Sequence, residues 1–342
     1  MLSSVLGLFS QDVAIDLGTS NTRVYVRGIG VVCQEPTVVA VHTDGKGRRK
    51  MLAVGREALP MLGRTPPDVR TVQPVRETQI RDYEVAEALL LHLVRRAHGR
   101  NGWVSPRMVV TIPHSASEME RRAVRESCEG AGAREVHLVS RPLAAAIGAG
   151  LPVDEPSGHL IVDIGGGSTE VSIVSLHGVV LSQSVPGGGE AMDEAIIGWL
   201  REEHDLLVGR PTAEQIKIAI GTATTKDIGP TAHVAGRCLR RGIPRSVEVS
   251  AADIRDALRP SLQKIARGIR EVLENTPPEL ASDVVDQGVV LTGGGSQLRR
   301  IDLALRESTG LAVVAADDPA DVAVQGAGRM LEELPLLRAL AS

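Results

Sequence analysis

One pattern occurs twice in this chain, as "DVAIDLGTSNTRVYVRGIGVVCQEPTVVAV" from Asp12 and as "HLIVDIGGGSTEVSIVSLHGVVLSQSVPGGG" from His159. Each copy runs from an apolar stretch into an aspartate, an apolar residue and a glycine with hydroxyl neighbours. An alternating stretch, a second glycine turn and a third stretch follow. Short apolar or alternating runs bounded by glycine read as strands, so Asp16 and Asp163 open the same strand–turn–strand–turn–strand unit. The two copies lie too far apart for a short-period solenoid. They predict two similar α/β lobes facing one another. A third glycine turn, "VVLTGGGSQL" from Val289, also ends an apolar strand.

A chain of 342 residues is long enough to bury two cores. Its net charge of -4 gives no basis for a nucleic-acid partner. Cys33, Cys128 and Cys238 are far apart and lack metal-ligand spacing, which suggests reduced core thiols. No apolar run approaches the roughly 20 residues that would span a bilayer. The N-terminus lacks the basic start and small-residue cleavage site of a signal peptide, so a cytoplasmic protein is expected. Between the repeats, Ser115 to Glu118 reads as a capping box opening a helix to about Gly130. A strand through Val139 and a helix from Pro142 follow, with further helices expected over 191–204, 212–221, 251–274 and 297–309.

Glycine lets backbone approach a ligand closely, and successive amides in a tight turn form a cradle for anionic oxygens. Two such turns from opposite lobes can clamp a polyphosphate, with an aspartate in each, Asp16 and Asp163, holding the hydrated Mg²⁺ that accompanies it. Either turn alone is equally an ordinary hairpin. The matched pair together with the third glycine turn points to a nucleotide.

"AIDLGTSNT", "IVDIGGGSTEV" and "LTGGGSQL" resemble the phosphate 1, phosphate 2 and adenosine motifs of the actin, sugar-kinase and DnaK-type ATPase superfamily. "FSQDVAIDLGTSNT", "GREALPMLGRTPPDV", "ERRAVRESCEGAGAREV", "AAAIGAGLPV" and "PPELASDV" follow the pattern of its MreB/Mbl family of bacterial actins, and the similarity extends from about Met1 to Met330. The resemblance implies an actin-like ATPase fold of the α/β class: two RNase H-like lobes, divided into four subdomains, around a nucleotide cleft. Lobe I would cover 1–145, with a small subdomain at about 34–74 and a closing segment at about 315–342. Lobe II would cover 146–314, with a small subdomain at about 186–245. ATP or another purine nucleotide is the implied ligand, with Mg²⁺. The resemblance places Asp16, Gly18, Thr19, Ser20 and Asn21 at the first phosphate turn. Asp163, Gly165, Gly166, Gly167, Ser168 and Thr169 would form the second, and Gly293, Gly294, Gly295 and Ser296 the turn under the base. Glu214 and Lys217 match the ribose-contacting pair, although taken alone they read as a solvated helix face.

One position departs from that pattern. The family typically carries Glu-Glu-Pro before the small-residue helix, its second glutamate positioning the attacking water. This chain has Ser140, Arg141, Pro142. A guanidinium stays protonated and accepts no hydrogen bond, so Arg141 cannot orient that water. Either it pairs with a phosphate oxygen in the manner of an arginine finger, or its side chain swings out to solvent. Nucleotide binding with weak or absent hydrolysis is the expectation.

The resemblance further implies homopolymer filaments on the inner face of the cytoplasmic membrane, working with wall-synthesis and shape proteins of the MreC/MreD/RodZ type. Leu2, Val5, Leu6 and Phe9 fall at helical spacing in the leader, and Trp103 in the position of an apolar membrane loop. The alternative is a soluble kinase- or chaperone-like ATPase of the same fold that does not polymerise. A chaperone would need a further peptide-binding domain after the tail "MLEELPLLRALAS", and no catalytic aspartate with a sugar pocket is evident for a sugar kinase.

Overall fold

A computed structural model describes residues 12–76, 79–98, 105–224, 229–333 and 337. The membrane expectations at Leu2, Val5, Leu6, Phe9 and Trp103 lie outside the described residues. The chain divides into two compact units, the first formed by Met1–Pro156, Val174–Val180 and Asp321–Ser342 and the second by Ser157–Ile173 and Leu181–Ala320.

In chain order the first unit holds β1 (Val13–Leu17), β2 (Asn21–Val26), β3 (Gly30–Pro36), β4 (Val39–Thr43), β5 (Arg49–Val54), β6 (Val69–Val72) and a small hairpin of β7 (Val75–Arg76) and β8 (Gln79–Ile80). There follow α1 (Tyr83–His98), β9 (Arg107–Ile112), α2 (Glu118–Gly130), β10 (Glu135–Ser140) and α3 (Arg141–Gly148). Its main sheet has the order β10-β9-β1-β2-β3, and β5-β4-β6 form a smaller sheet. β1 and β9 are buried at every residue, as expected for parallel strands covered on both faces.

The second unit begins with β11 (His159–Ile164), β12 (Ser168–Ser175) and β13 (Gly178–Pro186), apart from the Val174–Val180 turn between the last two, followed by α4 (Gly189–His204), β14 (Leu206–Leu207) and α5 (Arg210–Ile220). It continues through β15 (Thr231–Cys238), β16 (Pro244–Ser250), α6 (Ala251–Glu274), α7 (Pro278–Gln287), β17 (Val289–Thr292), α8 (Ile301–Thr309) and β18 (Val313–Ala315). Its main sheet has the order β13-β12-β11-β17-β18, which is the first sheet's order with β11, β12, β13, β17 and β18 standing for β1, β2, β3, β9 and β10. The repeat in the sequence is therefore a repeat of topology. The final helix, α9 (Val322–Glu332), belongs to the first unit and crosses α3 without intervening side chains. A Cβ on Gly326 would lie 1.8 Å from the Ala144 carbonyl oxygen, and one on Gly148 would lie 1.9 Å from that of Val322.

Two expected boundaries are corrected. The capping box is Ser117 with Glu120, not Ser115 with Glu118: the Ser117 amide donates to Glu120 Oε2 at 2.7 Å and the Glu120 amide to Ser117 Oγ at 3.3 Å. Both pairs fit the pattern, but the Ala116 amide closes a turn onto the Pro113 carbonyl at 3.1 Å, so the helix starts after it. The helix expected from residue 297 begins at Ile301, because Leu298 is extended and Arg300 has a φ of 62°. α6 spans the expected 251–274, opened by a capping box between Ser250 and Asp253.

Candidate functional site

In the first unit, parallel pairing sets Asp16 opposite Thr111, and Thr111 opposite Val139, at the C-terminal ends of three adjacent strands. The Thr111 hydroxyl donates to Asp16 Oδ1 at 2.5 Å. Beyond β1 the chain turns tightly: the Gly18 amide donates to the Asp16 carbonyl at 3.2 Å, and a Cβ on Gly18 would lie 2.5 Å from the Asn21 carbonyl oxygen. Thr37 braces the turn from the link between β3 and β4, its hydroxyl donating to the Gly18 carbonyl at 2.8 Å. Thr19 is buried, while Gly18, Ser20 and Asn21 stay partly accessible.

The second unit repeats the device. Asp163 pairs in register with Thr292, whose hydroxyl donates to Asp163 Oδ1 at 3.0 Å. The Gly165 amide donates to the Ser168 carbonyl at 2.9 Å, closing a turn in which Gly165, Gly166, Gly167 and Ser168 are partly accessible and Thr169 is buried. The start of α4 clasps this turn: the amides of Gly189 and Glu190 donate to the carbonyls of Gly165 and Gly166, each at 2.9 Å. The third glycine turn packs beside it. Gly293 has a φ of +81°, and a Cβ there would lie 2.6 Å from Asp163 Oδ1, so this position excludes side chains on two grounds. Ser296 is buried and donates to the Gly293 carbonyl at 2.6 Å, Gly295 lies against Ile164, and Gly294 is exposed.

Lys217 and Glu214 of α5 are placed differently from one another. Lys217 Nζ donates to the Gly189 carbonyl at 2.8 Å and pairs with Asp193 at 2.7 Å, so it anchors the clasp of the second turn, whereas Glu214 is exposed. Burial pushes the Asp193 carboxyl up to about 6, against the pull of Lys217.

Arg141 departs from one of its two sequence expectations, the side chain in solvent. Its side chain is buried, with 9% exposure, and does not swing out to solvent. Its partner within the unit is a carboxylate: Nη2 lies 2.6 Å from Asp16 Oδ1 and 3.5 Å from the Leu17 carbonyl oxygen. Arg141 opens α3, where the macrodipole disfavours a cation by about 0.3–1 kcal/mol. With the guanidinium buried there, loss of its carboxylate partner would leave an uncompensated charge, which typically costs about 3–5 kcal/mol. Register explains the reach, since the end of β10 lies two strands from the end of β1 in one sheet.

These geometries bear on Mg²⁺ unequally. Asp16 Oδ1 already takes a hydroxyl and a guanidinium, so the residues at the first turn fit a hydrated divalent ion poorly. Asp163 Oδ1 carries the Thr292 hydroxyl at the longer distance of 3.0 Å, beside a turn closed by the Gly165 amide on the Ser168 carbonyl. Sequence reasoning missed Thr111, Thr292, Asp193 and the Gly187–Gly189 clasp. The threonines had a legible signal, since "MVVTI" and "VVLTG" both carry a threonine at or next to the end of an apolar strand.

Two sheets of identical order, each ending its first strand in an aspartate and a tight turn, define an α/β protein of the actin-like ATPase fold. The family described as MreB/Mbl protein matches residues 10–339, and the chain belongs to that family. It is 47% identical over 339 residues to the cell shape-determining protein MreB of Escherichia coli (strain K12), covering 98% of this chain and 97% of that protein. It is 38% identical over 330 residues to the cell shape-determining protein Mbl of Bacillus subtilis (strain 168), covering 96% and 98%. Among solved structures, MreB5 of Spiroplasma citri bound to AMPPNP matches with a TM-score of 0.90 at 33% identity, covering 95% of this chain and 97% of that one. The MamK double helical filament matches with a TM-score of 0.78 at 25% identity, covering 95% and 100%.

Proposed function

We propose that this chain is a nucleotide-binding filament protein of the cell-shape cytoskeleton that turns its nucleotide over slowly. ATP, or another purine nucleoside triphosphate, is bound through the backbone donors of the Asp16 and Asp163 turns, with Gly293 to Ser296 under the base. MreB5 of Spiroplasma citri is described bound to AMPPNP and to ADP, and MamK as a double helical filament. Those likenesses support nucleotide binding and self-association here. Open head-to-tail contacts between identical subunits generate filaments. We further read Leu2, Val5, Leu6, Phe9 and Trp103 as weak contacts with the inner face of the cytoplasmic membrane. A filament multiplies such contacts, and peptidoglycan synthesis would be organised with partners of the MreC/MreD/RodZ type.

The observation that carries the slow turnover is the buried Arg141–Asp16 pair. Positioning of the attacking water supplies much of the catalysis in phosphoryl transfer, and a guanidinium at that place accepts no hydrogen bond from it. Phosphate release under polymerising conditions tests the reading: turnover is expected to be at least about tenfold below that of ordinary bacterial actins, and at least partly restored by Arg141→Glu. Equal rates would sink it. Sedimentation with and without nucleotide separates this function from a soluble phosphotransferase, which stays in the supernatant. Liposome flotation of a Trp103→Ala, Phe9→Ser double variant tests the membrane contacts, with loss of flotation expected.

A further inference from the structure

Asp16 Oδ1 receives two donors at short range, the Thr111 hydroxyl at 2.5 Å and the Arg141 guanidinium at 2.6 Å. Both members of the ion pair are buried, each with a side chain 9% exposed. A guanidinium keeps its proton in any protein environment, so this positive charge is permanent. In a buried setting like charges repel strongly, because little water screens them. A divalent ion brought to Asp16 therefore meets a carboxylate oxygen already holding two donors and a fixed cation beside it. The guanidinium is thus a fixed cation at this turn, its charge shared between Asp16 and a polyphosphate bound there. Its planar fork of five donors, more than one carboxylate oxygen can accept, also matches phosphate oxygens in pairs.

We propose that Arg141 is the resident cation of the first turn, so that this chain binds its nucleotide without Mg²⁺. The inference rests on the nucleotide-binding reading above and concerns binding, not turnover. Placement of the charge follows from the fold: Arg141 leads α3 at the end of β10, and the sheet order β10-β9-β1 brings it to Asp16.

The test is the affinity of the full chain for AMPPNP, measured by calorimetry in excess Mg²⁺ and again in EDTA at matched ionic strength. The parent affinity is expected to change by less than about threefold on chelation. Arg141→Gln, which keeps a polar side chain but removes the charge, is expected to lose at least about tenfold on chelation. Arg141→Lys, which keeps the charge, should retain metal independence and serves if the glutamine variant fails to fold. Parent binding that falls tenfold or more in EDTA overturns the proposal, while binding in Mg²⁺ keeps the nucleotide-binding reading. Metal independence that survives Arg141→Gln overturns the assignment to Arg141. Absence of binding in both conditions overturns the nucleotide-binding reading, and the proposal with it.

Discussion

The Asp16 and Asp163 turns are built to one plan and completed in different ways. Each aspartate ends the first strand of a sheet of the same order, and each accepts from a threonine at the end of the neighbouring parallel strand. Beside Asp16 the environment is completed by a charge, the Arg141 guanidinium at 2.6 Å. Beside Asp163 it is completed by close backbone packing, since a Cβ at residue 293 would lie 2.6 Å from the carboxylate oxygen. A duplicated topology thus fixes where a carboxylate sits without fixing its electrostatics. Those depend on which residues the neighbouring strand ends bring beside it, Arg141 after β10 for Asp16 and Gly293 after β17 for Asp163.

That contrast can be broken most forcefully at the carboxylates. Asp16→Asn removes the counter-charge described for buried Arg141 and should cost about 3–5 kcal/mol in urea denaturation, whereas Asp163→Asn can keep its hydrogen bond from Thr292 and should cost about 1 kcal/mol. Equal losses would show that the two sites are electrostatically alike. Next in size, Gly293→Ala should destabilise by about 2–3 kcal/mol, because it combines a φ of +81° with contacts of 2.5 and 2.6 Å to Ile164 O and Asp163 Oδ1. Gly18→Ala meets only the Asn21 carbonyl at 2.5 Å and should cost less by the same measurement.

The clasp on the second turn adds a dependence on pH. Burial raises the folded Asp193 carboxyl to about 6 from its ordinary 3.8, so the stability it contributes is present below the unfolded value and is lost as pH rises through about 6. Asp193→Asn resembles the protonated form, so its melting temperature relative to the parent should climb between pH 5 and pH 7.5, values chosen to bracket about one unit or more either side of that midpoint. A difference that stays flat with pH contradicts the assignment. The smallest expected effects sharpen the common plan: Thr111→Val and Thr292→Val should each cost about 1 kcal/mol. Markedly unequal losses would show that the shared threonine device is not equivalent in the two units.

Much of the fold was legible because it rests on local patterning. The repeated strand–turn–strand signal led to two sheets, and the long apolar periodicity after Ser250 led to α6 with its capping serine in place. The start of α2 was displaced because two serine–glutamate pairs satisfy the same local rule, and only the turn onto Pro113 chooses between them. Lys217 read as a solvated helix residue or a ribose contact, since its partners Asp193 and Gly189 lie on another helix.

The sequence by itself determined the class of the protein: the glycine turns, the aspartates before them and a cation at the head of a helix are properties of short segments, where neighbouring residues dictate the backbone. Tertiary structure alone decided what that cation does. Asp16 and Arg141 are separated by 125 positions, and no local rule says which carboxylate lies within reach of a guanidinium. Parallel pairing of β1 with β9 and of β9 with β10 brings the strand ends level, and burial of both side chains turns that proximity into an ion pair that water cannot screen.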